Sequence, residues 1–145
     1  MTPEQERNVE AWVAALESGT YQQARACLRD DRAHHCCLGV ACDISGLGTW
    51  SGAGMYLVNG IDTGTSLPPK SVRNHYGLCH SGGTFRWSAL PKALQDEIEA
   101  SARAVGRKAE GTGYCDLVAL NDNGVPFALI AKVIRARPEG LFKEV

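Results

Sequence analysis

The sequence predicts a mainly helical α+β fold, a compact single domain (residues 1–145) of about five helices with one or two small β-hairpins. Three observations predict it. Segments at both ends of the chain carry apolar residues at helical spacing. An Asn-Gly pair sits between two short β-type runs in the middle. The length of 145 residues leaves room for one continuous core, and 44% hydrophobic with 21% charged residues is the ordinary balance of a globular chain.

The first helix is the clearest. Thr2 suits an N-cap, Pro3 the first helical position, and Gln5 completes a capping box. Val9, Trp12, Val13 and Leu16 then form one apolar face, and Gly19 supplies a stop. "YQQARACL" reads equally as a short helix or a turn. A second helix is expected from His35, with Cys37, Val40, Ala41 and Ile44 on one face and Gly46 at its end. Small residues at Cys36, Cys37, Gly39, Ala41 and Cys42 would admit a neighbouring helix closely. "GLGTWSGAG" is expected to be a flexible connector; it lacks the Lys-Ser/Thr pair of a P-loop.

"MYLVNGID" predicts a tight hairpin turning at Asn59-Gly60. "LPPKSVRNHYGL" predicts a short helix ended by Gly77. "CHSGGTFRW" fits a second hairpin or a loop feeding the strand "TFRWS". Ser88 is placed to cap a helix from about Leu90, with Leu90, Leu94 and Ile98 on its face. The last third, "YCDLVALNDNGVPFALIAKVI", predicts two helices around Asn123-Gly124. Leu117, Val118 and Leu120 line the first; Phe127, Ile130, Ala131 and Ile134 line the second.

A net charge of −1, with mixed signs along the chain, disfavours nucleic-acid binding through phosphates. Lys132, Arg135 and Arg137 form the one local basic group, which is also what a solvated helix end looks like. No apolar run has the length of a membrane span. "MTPEQERNVE" lacks a hydrophobic signal region, which predicts a protein that is not exported. The six cysteines, which could pair in 15 ways, are then expected to be free thiols.

Several motifs together carry a resemblance. "ALESGTYQQARACL", "CCLGVACD", "LPPKSVRNHYGL" and "LNDNGVPFALIAKVI" resemble, in the same order, segments of a family of small proteins of tailed bacteriophages and prophages. The resemblance covers most of the chain apart from about Ser88 to Gly113. The chain departs from the pattern at His75, where an aromatic residue often precedes Tyr-Gly-Leu. The resemblance implies a phage gene product acting in the cytoplasm of an infected bacterial host, and it implies no activity.

Four functions follow from the residues. A zinc site would draw on His34, His35, Cys36, Cys37, Cys42, Cys79 and His80, with His35, Cys37, Cys79 and His80 as the expected four ligands. The spacing is poor, because adjacent Cys36 and Cys37 diverge by about 100° on a helix. A cysteine nucleophile would be Cys36 or Cys37 at a helix N-terminus, where the backbone dipole lowers a thiol pKa. Gln22 or Gln23 would be its oxyanion donor, and His75, His80, Asp43 or Asp122 its base or orienting group. A helix-turn-helix at "LNDNGVPFALIAKVI" lacks a following recognition helix, and Val125, Pro126 and Phe127 offer nothing to base edges.

The fourth function, and the one the sequence favours, is a non-catalytic binding protein with no cofactor. Trp50, Tyr56, Phe85 and Trp87 lie beside Gly-rich segments, with Arg73 and Arg86 near in sequence. Trp50, Trp87, Arg73 and Arg86 are the expected recognition residues. Aromatic and Arg together grip a nucleobase and a phosphate, or anchor a protein interface. The partner class is a host protein or a nucleotide-like small molecule. "HHCCLGVACD" is then expected to be a packed core helix, its cysteines there for their size.

Overall fold

In the computed structural model, which describes residues 1–107 and 113–144, the first helix (α1) spans Pro3–Glu17. The expected capping box forms: the Gln5 amide donates to Thr2 Oγ1 at 3.1 Å, and the Thr2 amide donates to Gln5 Oε1 at 2.9 Å. Val9, Trp12, Val13 and Leu16 are buried. Trp12 spends its one polar atom on the Cys37 carbonyl, at 3.0 Å, so the whole indole can be buried without an unpaired donor.

"YQQARACL" takes the turn form. Its backbone pairs with the segment that precedes the second helix, through bridges of Gln23 and Arg29 with His35. Ala26 adopts a positive φ of 65°, and its amide donates to Asp122 Oδ1 at 2.9 Å. That long-range bond holds a conformation which an L-residue rarely takes.

The second helix (α2, Cys37–Ser45) begins two residues after the expected start, because Cys36 is its N-cap and its Sγ accepts from the Gly39 amide at 3.3 Å. Cys37, Val40 and Ala41 are buried as expected, but Ile44 is 38% exposed and lies off that face. The close neighbour of the small-residue stripe is a loop backbone: a Cβ at Gly39 would sit 1.9 Å from the Leu28 carbonyl oxygen.

The Gly-rich connector is partly a strand. Thr49–Trp50 (β1) pairs antiparallel with Tyr56–Val58 (β2), which pairs with Asp62–Gly64 (β3). Trp50 stands opposite Tyr56. The expected turn closes β2 on β3, with Asn59 and Gly60 at φ 54° and 72°. Asp62 then receives the Lys70 and Ser71 amides, at 3.1 and 2.7 Å, and so caps the next helix (α3, Lys70–Tyr76) from across the loop.

The strand Thr84–Arg86 (β4) does not fold back on its neighbours. It pairs with Tyr114–Asp116 (β5), a long-range partner, and Trp87–Ala89 continues as a 3-10 turn. Ser88 therefore does not cap the fourth helix (α4, Lys92–Ala104), where Pro91 holds the N-cap position. Leu94 and Ile98 are buried, as is Leu90 just ahead of the helix. The last two helices are α5 (Leu117–Asp122), capped by Asp116, and α6 (Phe127–Ala136). The expected faces are buried, except that Val118 is only half-buried.

Six α-helices and two small antiparallel sheets, of three and two strands, thus surround one continuous core among the described residues. The basic residues of α6 and its C-cap are paired: Lys132 with Glu97 at 3.1 Å, Arg135 with Glu10 and Glu17 at 3.2 and 2.6 Å, and Arg137 with Glu6 at 2.8 Å. No helix among the described residues is long and apolar enough to cross a membrane.

Candidate functional site

The cysteine-rich segment is built as a buried junction. Asn121, fully buried on α5, accepts from the Cys37 amide at 3.1 Å and from Gln23 Nε2 at 2.9 Å, and donates to the Ala24 carbonyl at 2.7 Å. It satisfies an N-terminal amide of α2 that no helical carbonyl can reach. Gln23 Nε2 also donates to the Val125 carbonyl at 2.8 Å, so both its N–H groups are engaged in structure and not presented as oxyanion donors. Gln22 is exposed.

The expectation of an acidic thiol at the start of α2 is overturned. Burial pushes Cys36 up to about 11, against the opposing pull of the Gly39 and Leu38 amides. Burial also raises Cys37 well above the ordinary thiol range, and raises Cys42. Desolvation of a thiolate in a dry core outweighs a few backbone donors.

The candidate bases lie elsewhere or are occupied. His75 packs edge-on to Tyr76 with ring centroids 4.8 Å apart, and its Nδ1 lies 3.4 Å from Asn8 Nδ2. His80 is exposed, and Asp122 receives the Ala26 amide. His35, Cys37, Cys79 and His80 do not converge, for no three His, Cys, Asp or Glu among the described residues are placed to share a metal ion.

The four expected recognition residues do not form one face. Trp87 is 4% exposed, a core side chain and not an accessible anchor. Arg86 lies over the Tyr114 ring, 5.2 Å from its centroid, with Nη2 3.1 Å from Tyr114 Oη. Its Nε is 3.3 Å from the Glu139 carboxylate but off the hydrogen-bond line. Arg73 is half-buried in α3. The cation over Trp50 is instead Arg29, 5.5 Å from the ring centroid.

Trp50 is the centre of a built site. Tyr21, His35, Trp50 and Tyr56 form a chain of edge-to-face rings, with successive centroids 5.1, 5.4 and 4.9 Å apart. Asp43, on the last turns of α2, accepts from Trp50 Nε1 at 3.0 Å and from the Tyr21 hydroxyl. Burial works against this carboxylate, yet the bonds from Tyr21 and Trp50, with His35 and Arg29 nearby, hold its pKa below the ordinary value. Burial and the Asp43 bond push the Tyr21 hydroxyl up.

His35 is 7% exposed, and both its ring nitrogens are buried without a hydrogen-bond partner. Desolvation lowers its pKa and so favours the neutral ring. A polar group left so costs about 1–3 kcal/mol. Beside Trp50 the chain turns through Ser51 to Gly54, and a Cβ at Gly54 would lie 2.4 Å from the Arg29 carbonyl oxygen. Arg29, Asp30, Asp31, Gly52, Ala53 and Gly54 line an open cleft of about 170 Å³ there.

Arg29, Asp43, Tyr21 and His35 had no joint signal in the sequence. Asp43 lies on α2 and the other three in the irregular chain ahead of it, where no periodicity relates them. His35 stood out only as a metal ligand and Asp43 only as a base.

No curated protein and no solved structure matches the chain. Residues 5–138 match the family described as a domain of unknown function (DUF8296), and the chain belongs to that family.

Proposed function

We propose a non-catalytic binding protein whose recognition site is the Trp50 face, capturing a host protein or small signalling molecule in the cytoplasm of an infected bacterium and so blunting a host defence. The observation that carries the reading is Arg29 stacked on a half-buried tryptophan beside an open cleft and a Gly-containing turn. An aromatic ring and a guanidinium together supply contact area, hydrogen bonds and charge at little conformational cost. The setting is supported by the resemblance to small proteins of tailed phages. The raised thiol pKa values favour this reading over a cysteine enzyme.

The test is affinity capture from a lysate of the bacterial host, with bound proteins and small molecules both identified. Trp50→Ala, shown by circular dichroism to keep its fold, is expected to weaken capture of the identified partner by about 30-fold, the 2 kcal/mol scale of an interface hot spot. Arg29→Ala is expected to weaken it while leaving the melting temperature unchanged. Arg86→Ala is the control and is expected to bind like the parent. Equal capture by the parent, Trp50→Ala and Arg29→Ala would remove this site from the function.

A further inference from the structure

The buried imidazole of His35 packs between two aromatic rings, but its polar atoms are a cost to the fold. Its nitrogens meet no donor or acceptor, and the rings of Tyr21 and Trp50 close over it edge to face. Of those two covers, Trp50 is the one at a sheet edge. It ends a two-residue edge strand with β2 on one side only, and the following turn contains Gly52 and Gly54. Its indole N–H donates to Asp43 Oδ1 at 3.0 Å, and its ring meets His35, Tyr56 and the Arg29 guanidinium.

We propose that the Trp50 indole occupies a slot that a purine nucleotide takes in its place, with His35, Asp43 and Arg29 as the ligand-binding residues. This rests on the reading of the Trp50 face as the recognition site: the indole leaves the slot but stays against the bound base, which is the contact that Trp50→Ala removes. The chemistry of the slot selects the ligand. Asp43 Oδ1 now accepts an N–H from a planar bicycle, and a purine offers the same from its ring or its amino group. His35, uncovered by the departing indole, pairs through one nitrogen with a ring nitrogen of the base, which indole cannot do. Tyr56 and Tyr21 keep the walls aromatic. Arg29, which makes no ion pair among the described residues, keeps its place over the ring plane and supplies the cation for a phosphate. A single-ring pyrimidine lacks the second ring that would fill the space the indole leaves.

The decisive experiment is calorimetric titration of the full chain with guanosine and adenosine monophosphates, cytidine monophosphate and the unphosphorylated nucleosides. One purine nucleotide is expected to saturate one site per chain. Cytidine monophosphate and the matching nucleoside should each bind at least about tenfold more weakly, the discrimination expected when a buried polar group or a charge is left unpaired. Arg29→Ala should erase the difference between nucleotide and nucleoside. His35→Phe and His35→Leu should each lose about tenfold or more in affinity, while at least one keeps or raises the parent's melting temperature, because the unpaired polar group is gone.

Three results overturn the proposal: no purine nucleotide binding up to about 1 mM, where affinity is negligible; His35 variants that bind like the parent; or a lowered melting temperature in both, which would make the imidazole a structural piece. If no nucleotide binds yet Trp50→Ala still abolishes capture from the host lysate, the purine assignment falls and the recognition site stands.

Discussion

Cys36 and Cys37 set two opposing effects against each other. The first turn of α2 offers amides that favour a thiolate, and the core around it excludes the water a thiolate needs. Burial wins because desolvation of a charge exceeds what one or two backbone bonds return. Cys37 is accordingly expected to react slowly with a thiol reagent at neutral pH until the chain unfolds. Cys37→Ala should cost about 1 kcal/mol through lost packing; rapid stoichiometric labelling with unchanged stability would contradict this. His35 makes a prediction with a definite sign. Burial lowers its folded pKa below the ordinary 6.5. The unfolded chain therefore takes up a proton first as the pH falls, so this contribution to stability is complete above about pH 6.5 and shrinks below it. His75, also lowered by burial, acts in the same direction. The urea midpoint is expected to fall between pH 7 and pH 5, and His35→Phe should remove part of that fall, with the His75 part remaining.

At the scale of elements, α2 is held by what crosses it. The loop that carries Leu28 passes so close to Gly39 that no side chain fits between them. Asn121 from α5 then ties the start of α2 to the Ala24 carbonyl and to Gln23. Asn121→Ala leaves an amide, a carbonyl and a side-chain N–H without their partner in a buried place, and is expected to cost about 3 kcal/mol in chemical denaturation. Gly39→Ala should be at least as damaging, since the obstructing atom is backbone and cannot swing away. These costs explain why "CCLGVACD" and "LNDNG", two of the segments that carry the phage resemblance, sit together: they are halves of one junction. Their distinctiveness reports packing; of the proposed recognition residues only Asp43 falls within them.

The whole molecule is closed by its ends. α6 lies along α1, and the N-terminal amine donates to the Lys143 carbonyl at 3.2 Å. With one continuous core, heating is expected to give a single transition in which near- and far-ultraviolet circular dichroism coincide. Two separated transitions would mean that the three-stranded sheet unfolds on its own. The Glu-Arg pairs between α1 and α6 are exposed, so raising salt from about 0.1 to 1 M should screen them with little change in that transition.

Elements whose cause is local were legible in the residues themselves. The Thr2-Gln5 box, the Val9–Leu16 and Phe127–Ile134 faces and the Asn59-Gly60 turn are written within one or two turns of chain, where capping, helical period and positive φ act. The mixed fold class followed from them. Where the cause was distant, local signals misled. Ser88 has cap chemistry, but the pairing of β4 with β5 pulls Trp87–Ala89 into a 3-10 turn. Trp87 sits by a strand edge in sequence and in the core in space. Only the tertiary structure brought Arg29 over Trp50, set Asp43 against both Trp50 and Tyr21, and shut His35 behind them. That site joins a loop, a helix terminus and an edge strand, and such a meeting is decided by how the chain closes on its core.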